Sequence, residues 1–230
     1  MTTHGDLTFD PQKFSGRLRL FPLPDLVMFP HVMQPLHVFE PRYRDLVAAS
    51  VAGDHLLGMA LLNPGWEPHY EGRPPIGRIA CLCRIASCRQ LADGRYNLFV
   101  LGLQRAEIVR ELPPDQRFRE AEVRLLEDLY PAAAAQFRPA LHQKLTATFK
   151  RILPTLSDNF EQFAPLLSSD IPLGMLSDIV AFALDLEHPV KRQLLEEQSV
   201  DHRAELLLAR LAEPLENRSA PNFPPAFSAN

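Results

Sequence analysis

Two kinds of apolar spacing divide the chain near residue 130. Before it, apolar runs are short and broken by Pro and Gly; after it, Ala and Leu recur every three or four positions. The first pattern predicts strands and the second predicts helices, so a β-rich part should precede an α part. Residues 17–23 (RLRLFPL) alternate, with Leu18 and Leu20 on one face and Pro22 and Pro24 as stops. PLHVFE (35–40) predicts a second short strand. A helix should follow. Pro41 suits its first turn, where a missing N–H costs nothing, Leu46, Val47 and Val51 share a face, and Gly53 fits its end. HLLGMALL (55–62) is apolar almost throughout, which predicts a strand buried on both faces.

Asn63 to Pro75 (NPGWEPHYEGRPP) reads as a loop and carries the chain's only Trp. Strands are expected at 76–91, 91–103, 104–112 and 118–129, with Asp93-Gly94 as a hairpin turn and Pro113-Pro114 as a break. Together these make about seven strands and one short helix, the spacing of a compact antiparallel barrel or sandwich. In the α part, Leu141, Leu145, Phe149 and Ile152 mark a helix within 132–156 that either begins at Pro139 or is kinked there. Asp158-Asn159 caps a short helix through Leu167, Pro172 and Pro189 open two more, and Ser199 caps a last one carrying Leu207, Leu208 and Leu211. The fold class is therefore α+β. The expected divisions are a tail (1–16), a barrel (17–130), a small helical bundle (131–215) and a disordered, Pro- and Asn-rich tail (216–230).

Composition narrows the functional classes. A chain of 230 residues with 46 % hydrophobic residues buries enough surface, roughly 70–75 %, to fold without disulfides or metal. A net charge of −4 argues against a broad footprint for nucleic acid. No 18-residue apolar window predicts a membrane span, and MTTHGDLTFDPQKFSG lacks the pattern of a secretory signal. The three cysteines, Cys81, Cys83 and Cys88, crowd one stretch and form no disulfide framework, which places the chain in the cytoplasm.

Three segments together resemble one family. LFPLPDLVMFPHVMQPLHVFEPRYRDLV resembles the opening of the Lon protease N-terminal, substrate-binding domain. IGRIACLCRIASCRQLADGRYNLFVLGLQRAEIV is similar to its central strands, and KRQLLEEQSVDHRAELLLARL to its closing helices. The likeness covers about residues 17–213. It implies a PUA-like antiparallel β-barrel followed by a small C-terminal helical bundle, in a unit that contacts unfolded or tagged protein substrates and feeds them to an ATPase ring. None of Lys13, Lys144, Lys150 and Lys191 follows a Gly, so the chain has no G-x-x-x-x-G-K-[ST] loop to cradle ATP phosphates. No Ser–Lys protease dyad carries over from the family. The expectation is a stand-alone, non-catalytic substrate-binding domain without a cofactor, with unfolded or partly folded polypeptides and an ATP-dependent protease as partners.

Candidate chemistry is sparse. Cys81-x-Cys83 with Cys88 and His55 or His69 could frame a zinc site, but the second C-x₂₋₄-C pair is missing and buried thiols are the better reading. Glu40, Arg42 and Tyr43 crowd the start of the first helix, either as a structural cluster or as a fork for a peptide carboxylate or backbone. Trp66 and Tyr70 lie on the long loop, either folded back onto the barrel or presented for binding. Phe29 and Met33 lie in the turn region before the second strand. Phe29, Met33, Trp66 and Tyr70 are nominated as contacts for extended apolar peptides, in a shallow groove between barrel and bundle. The alternative is an RNA-binding PUA-like module using Arg78, Arg84, Arg89, Arg95, Arg105 and Arg110; a small-molecule sensor with an aromatic cage is a third reading.

Overall fold

Leu18, Leu20, Leu56, Leu82, Ala106, Ala121 and Val123 close on one another as one apolar cluster. They come from strands of a computed structural model that describes residues 2–4, 9–156, 170–212 and 228–229. The strands are β1 (Thr2–His4), β2 (Arg17–Leu23), β3 (Met33–Val38), β4 (Leu56–Leu61), β5 (Ile79–Gln90), β6 (Tyr96–Glu111), β7 (Arg119–Leu126) and β8 (Ser228–Ala229). Helix α1 (Pro41–Ala52) lies between β3 and β4. Strand order is β1-β5-β4-β2-β7-β6-β3-β8, and a β5–β6 pairing closes β5, β4, β2, β7 and β6 into a five-stranded barrel. The β2–β4 pair alone in that ring is parallel, as it must be where a crossover through α1 joins the two strands.

The alternation read in RLRLFPL is realised, with Leu18 and Leu20 buried. All six residues of β4 are buried, as its continuous apolar run predicts. One expectation is corrected. Residues 91–103 and 104–112 were expected as two strands, but Tyr96–Glu111 is a single strand of 16 residues. Its first half pairs with β3 and its second half with β7, while β5 runs along its other side. The short end strands cover open edges: β1 pairs with Ser87–Arg89 of β5, and β8 with Leu36–His37 of β3.

The chain divides into two units, Met1–Leu126 with Phe227–Asn230, and Glu127–Ala226. The second unit contains α2 (Arg138–Leu156), α3 (Leu173–Ala183), α4 (His188–Glu196) and α5 (Val200–Ala212). Pro139 stands in the first turn of α2, so the helix begins there instead of kinking. The inward residues of these helices include Leu145, Phe149, Leu176, Val180, Leu207 and Leu211, all buried. Ser199 accepts from the His202 amide at 3.4 Å, the expected cap of α5. The helix expected at 158–167 lies outside the described residues, as does the expected disordered tail apart from Ser228–Ala229. The fold class is α+β, a β-barrel followed by helices. No described helix is long and apolar enough to cross a membrane.

Candidate functional site

The long loop is tied at its base. Leu62 bridges Ile76, the Asn63 amide donates to the Pro75 carbonyl at 2.9 Å, and the Gly77 amide to Leu61 at 2.8 Å. Between these ties Glu67–His69 forms a single 3-10 turn that carries Trp66 and Tyr70 at its two ends. Their rings meet edge to face at 5.2 Å. The loop tip is held against the start of α1 by three residues. Glu40 occupies the cap position of that helix, yet its carboxylate makes no capping bond. It accepts instead from the Tyr70 hydroxyl at 2.5 Å and from Arg42 Nε at 3.0 Å. Arg42 donates from Nη1 to the Tyr70 carbonyl at 2.9 Å, and its guanidinium lies 4.7 Å from the Tyr43 ring and 4.6 Å from the Tyr70 ring. The result is a cation between two aromatic faces, with one carboxylate compensating it.

Burial shapes the acid–base state of this cluster. It pushes the Tyr70 phenol up to about 12, and the hydrogen bond to Glu40 pushes the same way. Tyr43 is raised too, chiefly by burial. Both phenols are therefore proton donors across the physiological range.

The cluster walls a cavity of about 190 Å³. Pro22, Leu62, Tyr43, Pro74 and Phe118 line it and are buried; Glu71, Gly72, Arg73 and Arg117 line it and are exposed. Arg119 completes the wall, donating to the Pro74 carbonyl at 2.7 Å and pairing with Glu111. The structure thus brings together Glu40, Arg42, Tyr43, Trp66 and Tyr70, read in the sequence as two separate groups. Pro22, Arg73, Arg117, Phe118 and Arg119 were not anticipated. The Pro-Pro break before Gln116-Arg117-Phe118-Arg119 marks a strand start, and nothing local says that this start faces the loop.

One nomination needs correction, and one alternative falls on its structural side. Phe29 is 0 % exposed and contributes to the core, so no peptide reaches its ring. Tyr43 is buried as well: its ring packs 4.4 Å from Phe21 and its hydroxyl donates to the Pro22 carbonyl at 3.0 Å, so it builds the cavity floor. Met33 is 47 % exposed on β3 but does not line the cavity. Its outward neighbours include Phe99, 40 % exposed.

The other candidate chemistry is structural. Cys81, Cys83 and Cys88 are buried and unpaired with one another, and burial pushes the Cys83 and Cys88 thiols up, so they stay protonated. Three of the six arginines considered for RNA are paired with carboxylates. Arg78 and Arg124 both pair with Glu107, Arg95 with Asp93 and Arg110 with Glu122, while Arg105 is buried.

A β-barrel followed in the chain by a helical unit is a fold with known relatives. The sequence model of the substrate-binding domain of the ATP-dependent protease La (LON) matches residues 17–213. The chain belongs to that family. Among curated relatives, Lon protease of Cytophaga hutchinsonii is 25 % identical over 211 residues, covering 90 % of this chain and 25 % of that protein. Lon protease 2 of Desulfotalea psychrophila is 28 % identical over 198 residues, covering 86 % and 25 %. The chain therefore spans about a quarter of the length of these relatives. The N-terminal domain of the Mycobacterium avium complex Lon protease shares the fold, with a TM-score of 0.66 at 18 % identity, covering 86 % of this chain and 98 % of that one. So does the Lon N-terminal domain protein from Xanthomonas campestris, with a TM-score of 0.59 at 24 % identity, covering 84 % and 97 %. Membership supports a substrate-recognition module of the Lon type.

Proposed function

We propose that the chain is a non-catalytic polypeptide-binding module. It takes exposed apolar segments of unfolded or tagged proteins at the Arg42–Tyr70 cavity and passes them, in the cytoplasm, to a separate ATP-dependent protease. The observation that carries this reading is the cavity itself: buried apolar residues lie beneath a rim of Tyr70 and arginines, on a loop clamped to α1. Aromatic and Arg side chains around a desolvated pocket are the usual anchors of protein recognition. Affinity would come from burying one apolar side chain, and the rim would orient the backbone beside it.

The test is a titration of the purified chain against a fluorescent, permanently unfolded polypeptide, with a folded protein and a short RNA as controls. Saturable binding to the unfolded chain alone, unaffected by ATP, is the expected result. No such binding, or tighter and salt-sensitive retention of RNA, overturns it. The adaptor role has its own readout, which is faster degradation of the same polypeptide when the chain is added to an ATP-dependent protease.

A further inference from the structure

The arginines lining the cavity fall into two sets. Arg42 and Arg119 are engaged from within. Glu40 and the Tyr70 carbonyl hold the first; Glu111 and the Pro74 carbonyl hold the second. Arg73 and Arg117 stand exposed on the lining and are weakly held. Arg73 donates to the Leu112 carbonyl at 3.3 Å, and Arg117 reaches Asp45 at 3.7 Å between side chains 74 % and 50 % exposed. The acid on the lining, Glu71, is exposed too. Apart from Arg119, which the Pro74 carbonyl and Glu111 hold, the buried lining is Pro22, Tyr43, Leu62, Pro74 and Phe118, so the cavity has a mainly apolar floor and arginines at its mouth.

We propose that this cavity selects a polypeptide segment in which an aromatic or branched aliphatic side chain is followed directly by a carboxylate. The side chain fills the floor against Leu62, Pro74 and Phe118, and the carboxylate meets Arg73 and Arg117. This rests on the reading of the cavity as the peptide site and names the class of segment it prefers. Size supports one anchor: a cavity of about 190 Å³ has room for a large side chain. Charge supports a carboxylate. Guanidinium forks match its planar geometry, and Glu71 on the same lining and Asp45 at 3.7 Å from Arg117 offset much of the charge of the two arginines. That suits a monoanion better than a phosphate of about −1.5 to −2. The carboxylate can be a free chain end or an Asp or Glu side chain.

Trp66, edge-on to Tyr70, reports occupancy through its fluorescence. The full chain is titrated with short peptides of one sequence: ending in Phe with a free carboxylate, the same peptide amidated, and an amidated form with Glu after the Phe. Amidation should weaken binding about tenfold, as loss of a charge-assisted contact implies, and high salt should shrink the difference. The Glu form regaining affinity assigns the preference to side-chain carboxylates; regaining none assigns it to chain ends. The double variant Arg73→Ala/Arg117→Ala should bind the amide as before and lose the discrimination. Arg117→Gln alone, with an unchanged melting curve, should lose part of it. Equal affinity for acid and amide, or tighter binding of a phosphopeptide or RNA, overturns the inference. If the amide still binds, the peptide site stands without its charge preference; if no peptide binds at all, the peptide-site reading falls as well.

Discussion

The Tyr70 hydroxyl lies 2.5 Å from Oε1 of Glu40, at the cap position of α1. A carboxylate that would ordinarily stabilise its own helix N-terminus is turned instead to hold a loop. Tyr70→Phe removes that donor and nothing else. A hydrogen bond to a charged acceptor contributes about 1.5–3 kcal/mol when buried and less when half-exposed, so about 1–2 kcal/mol is expected here. For a chain of this size that lowers Tm by about 2–8 °C. Limited proteolysis should show earlier cleavage within residues 63–75, because the loop tip loses one of its two ties to α1.

Trp66 separates binding from folding. It is half-buried, and its ring contact is with Tyr70. Such an edge-to-face pair contributes about 0.5–1.5 kcal/mol. Trp66→Ala should therefore shift Tm by no more than about 6 °C. Trp66 supports Tyr70 and does not itself line the cavity, so affinity for an unfolded polypeptide should fall by a few fold, less than for loss of a lining aromatic. A large drop in Tm with binding intact would make Trp66 a lid on the barrel instead.

What the sequence showed and what it concealed follow from the range of the interactions. Alternation in 17–23 and the apolar run at 56–61 are local signals of burial, and β2 and β4 form where those signals lie. Asp93-Gly94 was legible as a turn for the same reason: Gly94 has φ +82°. The misread points depend on distant partners. The expected break between 103 and 104 is absent, and Gly102 inside the long strand marks a close backbone approach. Phe29 looked available because it lies among prolines; instead its carbonyl sits against Gly102, and its ring is buried. The cavity joins α1, the loop and the start of β7, regions about 30 and 75 residues apart, so its basic mouth had no local signature.

Gly102 is accordingly a position where a single methyl group is costly. A Cβ there would lie 2.0 Å from the Phe29 carbonyl oxygen and 3.1 Å from the Pro30 Cα, both main-chain atoms. Two bonds fix the approach, His31 N to Gly102 O at 2.8 Å and Gly102 N to Val32 O at 2.9 Å. Gly102→Ala must separate the strand from this turn and should cost about 2–4 kcal/mol, read as a lower denaturant midpoint. Gly65→Ala is the control. With φ +83° and no atom within 4 Å, it should cost only about 1–2 kcal/mol, from backbone strain.

In the helical unit the corresponding keystone is Arg203, which is 0 % exposed. It donates to the Glu197 carbonyl at 2.7 Å and to Asp128 Oδ2 at 2.8 Å, and its Nε faces Oδ1 of the buried Asp178 at 3.4 Å. Arg203→Leu withdraws the guanidinium and leaves both carboxylates without it, which should cost about 3–5 kcal/mol. Arg203→Lys should not rescue, because one ammonium cannot address three directions. Adding Asp178→Leu to Arg203→Leu should recover part of the loss. A double-mutant cycle by thermal unfolding measures the coupling, and additive losses would refute the pairing.

Lys191 makes stability depend on alkaline pH. Its ammonium donates to the Phe182 carbonyl at 3.2 Å, and burial lowers its pKa from 10.5 to about 8. Between those values the unfolded chain holds a proton that the folded chain has released, so stability should rise with pH there and be flat below. The thiols of Cys83 and Cys88 work in the opposite sense. Burial raises them, so the unfolded chain loses their protons first and stability falls as pH rises past their ordinary value. The raised phenols of Tyr43 and Tyr70 add to that fall at still higher pH. The lysine is therefore isolated by difference, from urea midpoints of the wild type and Lys191→Met measured from neutral to alkaline pH. The variant should be the more stable at neutral pH, and its advantage should shrink steadily as pH rises from about 8 to 10.5. A constant difference across that window would mean that Lys191 keeps its ordinary pKa in the fold.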